Sequence, residues 1–194
     1  QILYEKSADE ELPPASVTKI MTLLLTFDAL ASGKIKLEDG VSTSEYAASM
    51  GGSQVFLEVG ETQTVDTMIK CISVASANDA AVAIAEGISG SVEAFAELMN
   101  QEASELGTLN THFANPNGLP SGEHYTTAYD MALITARALK EPDFLRYFGS
   151  GAYEISATNL SAPRELTSKN QFIDGQRICQ GLLFSKTGWT TASQ

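Results

Sequence analysis

The chain has 194 residues, of which 43% are hydrophobic and 19% charged, and its formal net charge is −12. That length buries a substantial core in one domain, and that composition excludes wholesale disorder. The charge excludes a nucleic-acid partner and electrostatic docking on anionic lipid, because phosphate is repelled.

Ile2-Leu3-Tyr4 reads as a short strand ending in the acidic turn Asp9-Glu10-Glu11. Pro13-Pro14 stops regular structure, and a helix starts near Ala15 or Ser16, since proline is tolerated only before or within a first turn. Ile20, Leu23, Leu24, Phe27, Leu30 and Ala31 follow at helical spacing, and Gly33 closes the helix. The longest apolar stretch, Ile20 to Ala31, contains Thr22, Thr26 and Asp28 and is too short to cross a bilayer. No signal peptide is legible at Gln1. Residues 34–60, including Gly51-Gly52-Ser53, read as loops with short strands at Val41-Ser42-Thr43 and Gln54-Val55-Phe56-Leu57.

Helices are expected from about Val65 to Ser73, Asp79 to Ile88, and Val92 to Leu106, the last capped by Ser91 and closed by Gly107. The turn Asn117-Gly118 follows. Thr127 and Asp130 resemble a capping box that opens a helix from Ala128 to about Lys140, which Pro142 stops. Ala152-Tyr153-Glu154-Ile155 and Gly181-Leu182-Leu183-Phe184 read as strands joined by a polar loop through Pro163 and Asn170. The expected fold class is α/β (α+β): a mixed, mainly antiparallel sheet fed by both termini, with helices packed on it. Residues 1–194 are read as one domain, with about 62–150 as an inserted helical lobe. The sheet is expected to be incomplete.

Three motifs carry chemistry. Ser16-Val17-Thr18-Lys19 places a hydroxyl and an amine three residues apart at a helix start, on one face. Burial and the positive helix end lower the lysine's pKa, so it can take the serine's proton. Unpaired amides at the same terminus suit an oxyanion, although for this motif alone a capped helix with a solvated lysine is by far the plainer reading. Ser76-Ala77-Asn78 lies between two helices, where it can relay a proton or simply cap a helix. Ser168-Lys169-Asn170 repeats the S-x-N pattern and is discounted, because it sits in a polar loop close in sequence to the third motif. Lys186-Thr187-Gly188 follows an apolar run. Its cation and hydroxyl suit a carboxylate, and its glycine admits a substrate backbone; a turn after a strand is the plainer reading.

His112 and His124 lack a triad partner in a recognisable elbow and are read as structural. Cys71 and Cys179 fit neither a redox pair nor a zinc site, and no metal is expected.

With their flanks these motifs resemble the serine-type D-Ala-D-Ala carboxypeptidases among the low-molecular-mass penicillin-binding proteins. The resemblance rests on Pro14-Ala15-Ser16-Val17-Thr18-Lys19-Ile20-Met21-Thr22 and Ala75-Ser76-Ala77-Asn78-Asp79-Ala80-Ala81. It extends through Thr111-His112-Phe113, Asn115-Pro116-Asn117-Gly118-Leu119 and His124-Tyr125-Thr126-Thr127-Ala128-Tyr129-Asp130-Met131-Ala132. It implies Ser16 as the acylated nucleophile and Lys19 as its base, with Ser76 and Asn78 completing the proton network. Lys186 and Thr187 would take the terminal carboxylate of a peptidoglycan stem peptide, Gly188 would admit its backbone, and the amides of Ser16 and Trp189 would form the oxyanion hole.

The resemblance further implies trapping by β-lactams, no cofactor, and a place outside the cytoplasm in a bacterial envelope. Membrane attachment is expected only through a segment this chain does not carry. A class A β-lactamase is the nearest rival, but its E-x-x-L-N stretch is not matched by Glu105 with Leu109-Asn110 or Glu97 with Asn100. A non-catalytic peptidoglycan-binding protein, or an inactive fragment, is the rival of another class.

Overall fold

The computed structural model describes residues 2–148, 151–173 and 175–189. Pro14 leads into a 3-10 turn, Ala15–Thr18, which runs directly into α1 (Lys19–Ala31). Ile20, Met21, Leu23, Leu24 and Phe27 of α1 are buried on the faces turned to α3 (Val65–Ala75), α4 (Asn78–Ser89), α5 (Val92–Glu105) and α6 (Ala128–Ala138). Helix α4 threads the centre, and its composition explains why it can. Ala80, Ala81, Ala83 and Ala85 are all fully buried, and such small side chains let neighbouring backbones approach closely.

The helix starts obey local chemistry. Thr64, Ser91 and Thr127 each accept a hydrogen bond from the amide three residues on, and each such cap contributes about 1 kcal/mol. Ser44 does the same for the short α2 (Glu45–Ala48). Two antiparallel pairs complete the fold. β1 (Gly40–Ser42) pairs with β2 (Thr62–Thr64) in the register Val41↔Gln63. β3 (Ala152–Ile155) pairs with β4 (Arg164–Thr167) in the register Tyr153↔Leu166, packed against α3 near the short α7 (Phe144–Phe148).

Helices and antiparallel strands are therefore combined as expected, but the strands form two separate ribbons, and the described residues contain no sheet fed by both termini. Three expected strands are corrected. Residues 2–4 have no strand partner, and Ile2, Leu3 and Tyr4 are exposed. Residues 181–184 also pair with no strand; Phe184 packs on α7 while Leu183 faces solvent. Residues 54–57 do alternate, with Val55 and Leu57 buried and Phe56 exposed, yet the amides of Val55 and Leu57 donate to the Asp79 carboxylate instead of a ladder. Conversely, β4 lies inside the stretch read as polar loop, α2 is a helix inside residues 34–60, which read as loops with short strands, and β2 and α7 had no expectation. Among the described residues no helix is long and apolar enough to cross a membrane.

Candidate active site

The 3-10 turn ahead of α1 holds Ser16 half-buried at the rim of a cleft and drops Lys19 into the floor, fully buried. Lys19 Nζ lies 3.0 Å from Ser16 Oγ, 2.7 Å from Asn78 Oδ1 and 2.6 Å from the carbonyl oxygen of Asn117. An ammonium has three donors and a neutral amine two donors and a lone pair. With Asn78 and Asn117 offering oxygen acceptors only, the neutral amine turns its lone pair toward the Ser16 hydroxyl. Burial holds the Lys19 pKa well below the ordinary lysine value, Lys186 pushes it further down, and Asp79 opposes both.

Ser76 closes α3 in the left-handed region, at φ 58°, which a serine adopts at a cost unless its surroundings impose it. That conformation turns the chain sharply from α3 into α4, with Asn78 as the first residue of α4. Asn78 is fixed on both sides. Its backbone N–H donates to the Ser53 carbonyl at 2.7 Å and its Nδ2 to the Gly51 carbonyl at 2.7 Å, which turns Oδ1 toward Lys19.

The third motif arrives from the far end of the chain. Lys186 Nζ donates to Ser76 Oγ at 2.8 Å and to the Thr187 carbonyl at 2.7 Å, and desolvation lowers its pKa to about 8. Gly188 is pressed against the 3-10 turn that carries Ser16: a Cβ there would stand 3.0 Å from the Pro14 carbonyl oxygen and 3.0 Å from a Val17 methyl. Any side chain would push the two segments apart.

Ser16 thus sits where two cavities meet. One, of about 240 Å³, runs past Ser76, Lys186, Thr187 and Gly188; the other, of about 520 Å³, runs past Asn78, Asn117 and Gly118. Trp189, largely exposed, borders both. All eight residues picked from the sequence, Ser16, Lys19, Ser76, Asn78, Lys186, Thr187, Gly188 and Trp189, converge on this cleft.

Three contributors were not picked. The Asn117 carbonyl grips Lys19, but every residue has a carbonyl, and no side-chain pattern announces that use. Gly118, at φ +86°, lies so close under the turn that a Cβ would stand 1.8 Å from the Ala15 carbonyl oxygen. Ser168, Lys169 and Asn170, discounted from sequence, line the first cavity, and Asn170 Nδ2 donates to the Ser185 carbonyl at 3.0 Å, next to Lys186. As the S-x-N motif the segment stays discounted, since Ser76 and Asn78 make the contacts to Lys186 and Lys19; its part is to back the third motif.

His124 is structural. Its Nδ1 accepts from the Ala114 amide, so Nε2 carries the proton and donates to Thr18 Oγ1 at 2.7 Å, behind the turn that carries Ser16. Burial lowers its pKa to about 4, which keeps it neutral. Among the described residues no group of His, Cys, Asp and Glu is arranged to hold a metal ion.

Comparison with known proteins agrees with this geometry. A family model described as D-alanyl-D-alanine carboxypeptidase matches residues 1–194. The chain is 49% identical over 191 residues to the D-alanyl-D-alanine carboxypeptidase DacF of Bacillus subtilis, covering 98% of this chain and 48% of that protein. It is 37% identical over 186 residues to DacC of Escherichia coli, covering 91% and 46%. The chain spans about half the length of these curated relatives. Among solved structures it superposes on the D-alanyl-D-alanine carboxypeptidase DacD from Francisella tularensis with a TM-score of 0.88 and 30% identity, covering 99% of this chain and 57% of the other. Penicillin binding protein 5 from Haemophilus influenzae gives a TM-score of 0.82 and 31% identity, covering 91% and 51%. With the match running the length of the sequence and the cleft assembled from its three motifs, the chain belongs to the D-alanyl-D-alanine carboxypeptidase family.

Proposed function

We propose that this chain carries the acyl-transfer centre of a serine-type D-Ala-D-Ala carboxypeptidase that removes the terminal D-alanine of peptidoglycan stem peptides, outside the cytoplasmic membrane where that polymer lies. The observation that carries the reading is the pair of contacts Lys19 Nζ–Ser16 Oγ and Lys186 Nζ–Ser76 Oγ on one cleft. In this reading residues 1–194 act as one domain, with about 62–150 as its helical lobe, which the single continuous hydrophobic core supports.

Neutral Lys19 takes the Ser16 proton as Oγ attacks the carbonyl carbon of the penultimate residue. Two amides, of Ser16 and Trp189, stabilise the oxyanion, a placement favoured by the tight seating of Gly188 on the nucleophile turn. The C–N bond breaks, and D-alanine leaves with a proton relayed through Ser76. Water then hydrolyses the Ser16 ester, with Lys19 again accepting a proton. Lys186 and Thr187 receive the terminal carboxylate, Lys186 as a charge and Thr187 as a hydroxyl donor. A β-lactam presents a strained amide and a carboxylate to the same groups, so it acylates Ser16 and stays.

Incubation with a labelled penicillin followed by peptide mapping tests the reading. A stable adduct on Ser16, absent from Ser16→Ala, is the expected result. Rapid turnover indicates a β-lactamase, and no adduct indicates a binder or an inactive fragment. Lys186→Ala is expected to weaken carboxylate-bearing ligands chiefly, and acylation by both variants at the parent's rate overturns the assigned roles.

A further inference from the structure

Asp79 follows Asn78 in the first turn of α4, is fully buried, and makes no ion pair among the described residues. A lone carboxylate in such a place costs several kcal/mol unless hydrogen bonds satisfy it. Backbone amides do so here. Its oxygens accept from Val55 N at 3.1 and 3.3 Å, from Leu57 N at 3.1 Å and from Ala80 N at 2.9 Å. Two of those donors belong to the segment 53–57, which no strand pairs with and in which Phe56 sits at φ 57°. The upstream end of that segment and the loop just before it hold Asn78 through the carbonyls of Ser53 and Gly51. Carboxylate, loop and amide thus form a closed circuit whose output is the direction of Asn78 Oδ1.

We propose that Asp79 is a positioning residue for acylation: by pinning the amides of Val55 and Leu57 it fixes the loop that orients the Asn78 side chain on Lys19. This rests on the acyl-transfer reading above for its kinetic consequence. The side chain never reaches the cleft and touches no substrate; it acts through Asn78. It also adds charge to the surroundings of Lys19. Those consist of the neutral partners Ser16, Asn78 and Asn117, the cation Lys186, the neutral His124 behind the turn, and Asp79 as the anion.

The test uses the full chain and a labelled penicillin across a pH series, with deuterium exchange of peptide 51–58 and thermal unfolding on the same samples. Asp79→Asn turns an NH2 toward backbone N–H groups and removes the charge. The saturating acylation rate is expected to fall about tenfold to a hundredfold, the cost of misplacing a catalytic group by about 1 Å. The half-saturating concentration should move little. The acid limb shifts to lower pH, because Lys19 loses the one anion that favours its protonated form, and exchange in 51–58 rises.

Gly52→Ala changes no charge. It places a Cβ 2.9 Å from Asn78 Nδ2 on an exposed loop at φ +79°, so it should lower the same rate with the acid limb unmoved. Met99→Ala, a cavity in the core of α5, supplies a matched loss of stability and should leave acylation at the parent's level.

The proposal is overturned if Asp79→Asn keeps the parent's rate and exchange, or if Met99→Ala of equal instability loses as much rate. Should Asp79→Asn fail to fold, Gly52→Ala decides: the parent's acylation rate in that variant overturns the proposal. A parent that forms no adduct sinks the carboxypeptidase reading instead, and exchange of 51–58 in Asp79→Asn then decides the positioning role.

Discussion

Two amines share this cleft, and their surroundings differ. Lys19 is sealed under the turn that carries Ser16, while Lys186 is half-buried at the rim with Ser76 as its partner. Both pKa values are lowered, Lys19 by burial first and Lys186 second, Lys186 by burial to about 8. The signs give a bell. In the proposed roles, acylation by a carboxylate-bearing penicillin is expected to rise as Lys19 loses its proton, because only the neutral amine accepts from Ser16, and to fall above about pH 8 as Lys186 loses the charge proposed to seat the carboxylate. Because the two sites interact, the limbs report the pair. In Lys186→Arg the charge does not titrate, so the alkaline limb should disappear from the pH profile of whatever acylation remains. Persistence of that limb would assign it to another group. The Ser16 hydroxyl and Lys19 amine were legible in sequence because three residues of helical turn bring them together locally. The partner carbonyl of Asn117 was not, because it comes through the backbone from a distant loop.

Among the elements, the long helices were readable, while of the expected strands only those at β1 and β3 form, for one physical reason. A helix satisfies its own backbone and needs only a cap and an apolar stripe, which Ser91 and Thr127 with their following residues supply. A strand needs a partner. The alternation of residues 54–57 reports their burial correctly, but their amides find a carboxylate in place of a neighbouring strand. The loop 115–119 carries a comparable lesson, since its glycine marks a close approach as well as a turn. Gly118 combines φ +86° with contact against the Ala15 carbonyl, and Ala15 itself sits at φ 49°. Gly118→Ala is therefore expected to cost at least about 2 kcal/mol, from backbone strain and overpacking together. Displacing the nucleophile turn should also slow acylation by more than the loss of stability accounts for. Urea unfolding and adduct formation measure the two effects separately, and an alanine tolerated in both would remove this loop from the support of Ser16.

For the whole molecule, the cleft is a seam between the helices and the late chain, so the proposed acylation depends on whatever closes that seam. Phe184 packs edge-on against Phe144 at 5.3 Å and against Phe148 at 5.6 Å, and Lys70 lies 4.0 Å from the Tyr153 ring centre. The strongest tie is Arg164 of β4. It pairs with the fully buried Glu61 and donates to the carbonyls of Val55 at 3.1 Å and Phe56 at 2.8 Å. Burial works against the Glu61 carboxylate, but the Glu58 amide, Gln63 and Arg164 outweigh it and hold its pKa below the ordinary value. The resulting stability is present above the ordinary carboxylate range and is lost as pH falls through the depressed pKa.

Arg164→Ala strips the cation from a buried anion, which typically costs about 3–5 kcal/mol. It also frees β4 from the loop 53–57. We expect lower stability in urea, faster proteolysis after residue 150, and slower acylation, although Arg164 bonds to none of the eight site residues. Adding Glu61→Gln removes the stranded charge and should restore part of the stability. Because the seam stays untied, it should leave acylation slow. If the double variant recovered both together, Arg164 would matter only as a counter-ion, and the attachment of the late chain would have to rest on Phe184 and the ribbon itself.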